Sequence, residues 1–254
     1  MFVKTKALPI AVVTLTLVSP LSAIGGSGAI SPDNRSPAGM SASWWQWALS
    51  IPAIQAPEGG STHPLVGNDD AAGDVDLFEY CGNGQHGELW FLGGDFSGTG
   101  EEIERTCVIP LGKTIVLPLI NVECSTAEGD ADSEDSVRQQ AADLKECAAA
   151  FGEDFFGSAQ LITADGQSQD LNVQRLQTVN PFLLSYIPNN AVGLTEVDPN
   201  PSLSQADGLW VILRNLAPGD HRVEFNGYYI SPDVFEIVGA YNLRITGPDG
   251  QLVD

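Results

Sequence analysis

Nucleophilic catalysis needs a serine or cysteine held beside a histidine that an acid orients. The chain has three histidines, His63, His86 and His221, and no G-x-S-x-G elbow. His221 falls just after a turn at the start of a β-rich run, where a packed or capping histidine is the ordinary outcome. Zinc would require the fold to gather these three distant residues, and their spacing gives that no support. No catalytic residue is assigned on these grounds. Calcium takes hard oxygen ligands, and two acidic stretches offer them. One holds Asp69, Asp70, Asp74 and Asp76; the other holds Glu128, Asp130, Asp132, Glu134 and Asp135. The second opens like an EF-hand loop at Asp130, Asp132 and Glu134, then departs from it. Asp135 stands where glycine is needed and Ala141 where the bidentate glutamate is needed. A solvated acidic loop is the expectation, with calcium the only cofactor such loops could hold.

A pair of carboxylates could hydrolyse a glycosidic bond. The candidates lie beside apolar runs: Glu88 near Trp90, Glu123, and Glu224. Tryptophan faces stack on sugar rings, so Trp44, Trp45 and Trp47 bear on the same question. Helical spacing puts Trp44 and Trp47 on one face, where anchoring a helix to the rest of the fold is the expected role. Arg105, Lys113, Asn121 and Arg214 border or interrupt apolar runs. Basic residues are scarce, so each is expected to pair with a carboxylate. Arg105 with Lys113 could instead form a small anion site.

The elements that must position these groups follow from periodicity. Ser41 or Ser43 can cap a short helix that runs through the tryptophans to Pro52. Residues 55–78 read as a long loop. From Glu88 onward the chain is β-rich. Ile115 to Ile120 is almost wholly apolar, a strand buried on both faces, and Pro118 within it demands a bulge or an edge. Residues 134–151 form the one clear helix, with Val137, Ala141, Leu144, Ala148 and Phe151 on a stripe and Ser133 or Asp135 as cap. Tyr241, Leu243 and Ile245 alternate with Asn242, Arg244 and Thr246, giving one buried and one wet face. The pattern predicts a mainly β fold. It is an antiparallel β-sandwich, Ig-like or jelly-roll-like, with one inserted α-helix and a short N-terminal Trp-rich helix.

Met1 to Ala23 reads as a signal peptide, with Lys4 and Lys6 before an apolar segment too short to span a bilayer and cleavage near Ala23. A flexible leader at 24–40, one domain at 41–247 and a tail at 248–254 follow. Cys81, Cys107, Cys124 and Cys147 are an even set in an exported chain, so two disulfides are expected. Of three connectivities the sequential one, Cys81–Cys107 and Cys124–Cys147, is favoured. The second bridge would staple the helix to the strand ending at Cys124.

The 254 residues carry 33 acids and 11 bases, a formal net charge of −22, with 43% hydrophobic residues. Loss of residues 1–23 removes Lys4 and Lys6 and no acid, leaving 9 bases against 33 acids, a net of −24. So negative a surface repels phosphate backbones and anionic membranes, which excludes nucleic acid as a partner. No run is long enough for a stable transmembrane anchor.

Several stretches taken together resemble a family of secreted bacterial proteins without an assigned activity. They are Trp44-Trp45-Gln46-Trp47-Ala48, Cys81…Gln85…Leu89-Trp90-Phe91-Leu92-Gly93-Gly94 and Arg105-Thr106-Cys107-Val108-Ile109-Pro110-Leu111-Gly112-Lys113. Pro118 to Ser125, Asp207 to Leu213, Leu216-Ala217-Pro218-Gly219-Asp220-His221 and Tyr241-Asn242-Leu243 complete the set. The resemblance implies export and a single β-rich domain. It carries over no catalytic residue.

These features point to a secreted or periplasmic, disulfide-stabilised β-sandwich acting as a non-catalytic binding or surface-associated module. Trp44, Trp47, Glu88, Trp90, Arg105 and Lys113 are its candidate ligand contacts, and a carbohydrate or a protein its candidate partner. The alternatives are a polysaccharide hydrolase using a carboxylate pair and a calcium-stabilised envelope protein.

Overall fold

The computed structural model describes residues 36–53, 63–66, 78–96, 99–132, 134–194, 197–230 and 234–252. The signal segment, the leader up to residue 35 and the cluster Asp69, Asp70, Asp74 and Asp76 lie outside the described residues.

The first helix, α1, spans Pro37–Leu49, followed by the short α2, Phe78–Cys81. Strands β1 (Leu89–Phe91), β2 (Thr99–Ile109) and β3 (Thr114–Ser125) precede α3, Val137–Gly152. Then come β4 (Phe155–Ile162), β5 (Ser168–Asp170), β6 (Gln174–Arg175), β7 (Phe182–Leu184), β8 (Ser202–Leu213), β9 (Gly219–Tyr229) and β10 (Phe235–Ile245). They form two sheets. One runs β1-β3-β8-β6, with β7 also on β8; the other runs β2-β10-β9-β4-β5. The fold is mainly β, as the patterning predicts. It is not purely antiparallel: β1 pairs with β3, and β2 with β10, in parallel. Each parallel partner comes from a distant part of the chain, so no hairpin signal could mark it.

The strand sequences explain the layering. In β3, Ile115, Leu117 and Leu119 enter the inter-sheet core with Val223, Phe225, Tyr241 and Leu243, while Val116 points to the other side and joins the cluster under α1. In β8, Val211 and Leu213 face the first cluster and Trp210 the second. A sheet covered on both faces needs apolar residues at successive positions. The other sheet has one wet face, hence the clean alternation of β10. The bulge expected at Pro118 is present, as a register shift between Pro118 and Ile120. At that point the sheets approach so closely that a side-chain carbon on Gly227 would strike the Leu119 carbonyl.

Two helix boundaries correct the sequence reading. Helix α1 begins at Pro37, inside the segment expected to be leader, because Ser36 caps it through a 3.1 Å bond from the Gly39 amide and Pro37 suits the first helical position. Ser41 is buried inside the helix rather than capping it. Helix α3 is capped by Ser136, not Ser133 or Asp135. Its buried stripe is Leu144 and Ala148, while Val137 and Phe151 are exposed at its two ends.

Both disulfides form in the sequential pairing, with Cα atoms 5.7 Å apart in Cys81–Cys107 and 6.2 Å apart in Cys124–Cys147. The first ties α2 to β2 and the second ties α3 to the end of β3. The Cys124–Cys147 bridge spans 23 residues, so the paired variant Cys124→Ala/Cys147→Ala should lose about 3 kcal/mol of stability. Urea unfolding checks this; an unchanged midpoint would show that α3 docks without the staple. Among the described residues no helix is long and apolar enough to cross a membrane.

Candidate functional site

The tryptophans of α1 are core residues. Trp44, Trp45 and Trp47 are all buried, and the helix is covered nearly all round. Trp44 Nε1 donates to the Leu92 carbonyl at 2.6 Å, and Trp47 Nε1 to that of Asn83 at 3.0 Å. Trp44 also meets Trp45, Trp47 and Trp210 edge to face. Trp45 differs: its Nε1 is buried without an acceptor.

Trp45 borders a cavity of about 240 Å³ between α1, the segment after β1 and the bulged half of β3. Trp44, Trp45 and Phe96 supply its aromatic wall, with Phe96 centred 6.3 Å from Trp44 and 6.2 Å from Trp45. Asn121, Glu123, Glu128 and Asp95 supply its polar groups. Asn121, Val122 and Glu123, just after the bulge, all border this cavity.

Glu123 is only 9% exposed. Burial, and then the neighbouring Glu128 carboxyl that hydrogen-bonds to it, hold its proton affinity well above the usual carboxylate range. Tyr186 sits between the two, its hydroxyl donating to Glu123 Oε2 at 2.9 Å and lying 3.3 Å from Glu128 Oε2. The Ser125 hydroxyl is 2.8 Å from the Tyr186 hydroxyl and 3.3 Å from Glu128 Oε2. Burial and the two carboxyls push the Tyr186 phenol far up, so it stays protonated. Glu123 therefore keeps its proton more readily than an ordinary carboxyl does. Glu123 Oε1 and Asn121 Nδ2 are closed off from solvent and bond to no described side chain at ordinary hydrogen-bond distance, and Ser204 on β8 stands against the Glu123 carboxyl.

The raised affinity fixes the sign of a pH effect. A carboxyl whose folded value lies above its ordinary 4.5 stabilises the fold fully below that pH, and the benefit is lost as pH rises through the folded value. Glu123→Gln should therefore be more stable than the native chain at pH 7, by about 1–3 kcal/mol, with the advantage vanishing near pH 4.5. Paired thermal melts across that range check it; a difference independent of pH would contradict the raised proton affinity of Glu123.

Of the ligand contacts expected from sequence, only Trp44 lines this cavity. Trp90 is packed in the inter-sheet core and Glu88 is exposed. The expected carboxylate partners of the bases are corrected. Arg105 Nη1 donates to the carbonyls of Gly93 and Gly94 and reaches the Tyr241 hydroxyl, so it braces a turn. Lys113 reaches the Gly87 carbonyl, and Arg214 the Met40 sulfur at 3.9 Å. Among the described residues no acid comes within ion-pair distance of Arg105 or Lys113.

The histidines also serve structure. His63 is fully buried, with Nε2 on the Ala48 carbonyl at 2.8 Å and Nδ1 accepting from the Leu65 amide; burial lowers its proton affinity and keeps it neutral. His86 and His221 each hold a backbone carbonyl, of Gly84 and of Ala217. In the second acidic stretch Asp130 accepts from the Ser125 amide and Asp132 from the Glu134 amide, so both cap their own turns. Asp130 also lies close to the sulfurs of Cys124 and Cys147, but these are joined in a disulfide and offer no thiolate to a metal.

Tyr186 and Glu128 went unrecognised as partners of Glu123. They are 63 and 5 residues from it, and the polar residues of an otherwise apolar strand were the only available signal. No protein-family model matches the chain, and no curated protein matches it either.

Proposed function

We propose that the protein is an exported, non-catalytic binding module and that its ligand occupies the cavity beside α1. The observation that carries this reading is one cavity with both an aromatic wall, Trp44, Trp45 and Phe96, and a polar one, Asn121, Glu123, Glu128 and Asp95. An apolar pocket with a few convergent polar groups is the usual form of a small-molecule site. Two formed disulfides suit an oxidising compartment, and the resemblance to exported proteins supports the same address. A volume of about 240 Å³ suits a small molecule, below the roughly 300–1,000 Å³ of drug-sized sites.

The carboxyl pair favours binding over glycoside hydrolysis. The Tyr186 hydroxyl lies 2.9 Å from Glu123 Oε2 and 3.3 Å from Glu128 Oε2, so it fills the space between the two carboxyls that a glycosidase keeps open for the sugar or its water.

Thermal melts with monosaccharides, polyols, amino alcohols and amino acids test the reading. At about a hundredfold excess over Kd, a true ligand adds about 2.7 kcal/mol. Such a compound should raise the melting temperature by several degrees, and less in Glu123→Gln and Trp45→Phe. If no class shifts the native protein, the reading fails.

A further inference from the structure

The outer face of the second sheet holds a side-chain network that fold stability does not account for. Arg222 on β9 donates to Glu104 on β2 at 2.7 Å, to Glu224 at 2.8 Å and to Asn242 on β10 at 2.9 Å. Asn242 also donates to Glu104, Gln160 on β4 to Glu224, and Ser168 on β5 to Gln160. Bonds from Asn242 and Arg222 hold Glu104 below the ordinary carboxylate range, and bonds from Arg222 and Gln160 do the same for Glu224. The two glutamate side chains are 56% and 37% exposed, and an exposed ion pair adds only about 0–1 kcal/mol. Fixing such side chains costs conformational entropy, whereas a ligand that meets them already in place avoids that cost. Further along the same face, Ser158 donates to Asn226 Oδ1 from its amide at 2.8 Å and its hydroxyl at 2.9 Å, which leaves the Asn226 amide nitrogen as a donor. Beyond them Phe156 stacks on Tyr228, with centroids 5.3 Å apart. Phe156 is 45% exposed, because β5 pairs only with Gln160, Leu161 and Ile162 of β4 and stops short of it. At the opposite end an open cavity of about 380 Å³ lies between Thr106, Arg222, Asn242 and Arg244 and the turn from β4 to β5.

We propose that this face binds a neutral polysaccharide, laid along β9 from the cavity at Arg222 to the ring pair Phe156 and Tyr228. Those ends are six residues apart on one strand, which is about 20 Å and long enough for a short run of sugars. A sugar hydroxyl both donates and accepts, and the pairs Arg222–Glu104, Arg222–Glu224 and Gln160–Glu224 present a donor and an acceptor side by side. One side of a pyranose carries C–H bonds, which suit the electron-rich face of an exposed ring such as Phe156. Charge removes the acidic polymers, because Glu104, Glu224, Asp220 and Glu236 outnumber Arg222 and Arg244 on this face. A protein partner would call for an apolar centre inside a polar rim; here the polar groups hold the centre and the rings lie at one end. The face shares no residue with the cavity beside α1, so it is a second site and stands whether or not that cavity is filled.

Native electrophoresis of the mature, disulfide-bonded protein through gels containing soluble polysaccharide tests this. The probes are hydroxyethyl cellulose, galactomannan and glycogen, with carboxymethyl cellulose as the anionic counterpart of the first. At least one neutral polymer should retard the protein, and carboxymethyl cellulose should not. Phe156→Ala and Asn226→Ala should each weaken the retardation about two- to tenfold. Phe156→Tyr should keep it, and Trp45→Phe should leave it unchanged. Both truncations lie at the surface, and unchanged melting temperatures would show that the loss is one of binding. Unchanged mobility in all three neutral polymers would overturn the proposal. Equal retardation by carboxymethyl cellulose would do the same. Retardation that survives both truncations would overturn the assignment to this face; if it fails in Trp45→Phe instead, the sugar sits in the cavity beside α1 and the binding reading there stands.

Discussion

Trp44→Ala should cost about 3–5 kcal/mol of stability, the range for removing a fully buried tryptophan. Trp44 is 2% exposed and stands at the centre of the aromatic cluster, against Trp45, Trp47, Phe96 and Trp210. Its Nε1–H holds the Leu92 carbonyl at 2.6 Å, so the substitution also leaves a buried acceptor unpaired. Trp44→Phe keeps part of the packing and loses that bond, and should fall between the two. Chemical denaturation measures both. A loss below about 1 kcal/mol would fit an ordinary surface position and would contradict the core role of α1. Because α1 also walls the cavity, Trp44 variants are poor tests of binding. Glu123→Gln serves better, since it keeps the shape and removes the ionisable carboxyl; Trp45→Phe removes the indole N–H and one ring while keeping an aromatic wall.

A second large effect is expected where α3 meets β8. The Asp207 carboxyl is fully buried, and Arg175 holds it through Nη2 at 2.7 Å and Nε at 3.0 Å. The same guanidinium reaches the Ala149 carbonyl at 3.5 Å, near the C-terminal end of α3, and Gly152 leaves room for the pair. Arg175→Met keeps the chain length and strands the carboxylate. Removing one partner of a buried pair costs about 3–5 kcal/mol; Arg175 is 42% exposed, so water entering its place puts the expected loss at about 3 kcal/mol. Urea midpoints check this, with Arg175→Met/Asp207→Asn beside the single variant. A double variant no more stable than Arg175→Met would mean that the damage is to packing and not to charge.

How far these features could be read in advance depended on their range along the chain. The alternation in Tyr241, Leu243 and Ile245 is a local property and survives in β10, where those residues are buried. The continuous apolar run of β3 and the bulge at Pro118 were legible for the same reason. The disulfide pairing was legible because each bridge closes a short loop between neighbouring elements. Helix ends were less so: Ser36 won the cap of α1 over Ser41 because Pro37 follows it, a detail masked by the Gly- and Ser-rich stretch before it. The site itself was legible only in fragments. Glu123, Asn121 and the tryptophans drew notice singly, each for breaking a pattern. Nothing local joins Glu123 to Tyr186; the pairing of β7 and β3 on either side of β8 does that. Nor does composition tell Trp45, with its unpartnered Nε1, from Trp44 and Trp47, whose bonds are made.

The most direct test of the central claim is a crystal structure of the mature protein grown with whichever compound raises its melting temperature most. The account predicts that compound in the cavity beside α1, against Trp45 and Phe96. A compound bound elsewhere, with only ordered water in this cavity, would contradict it.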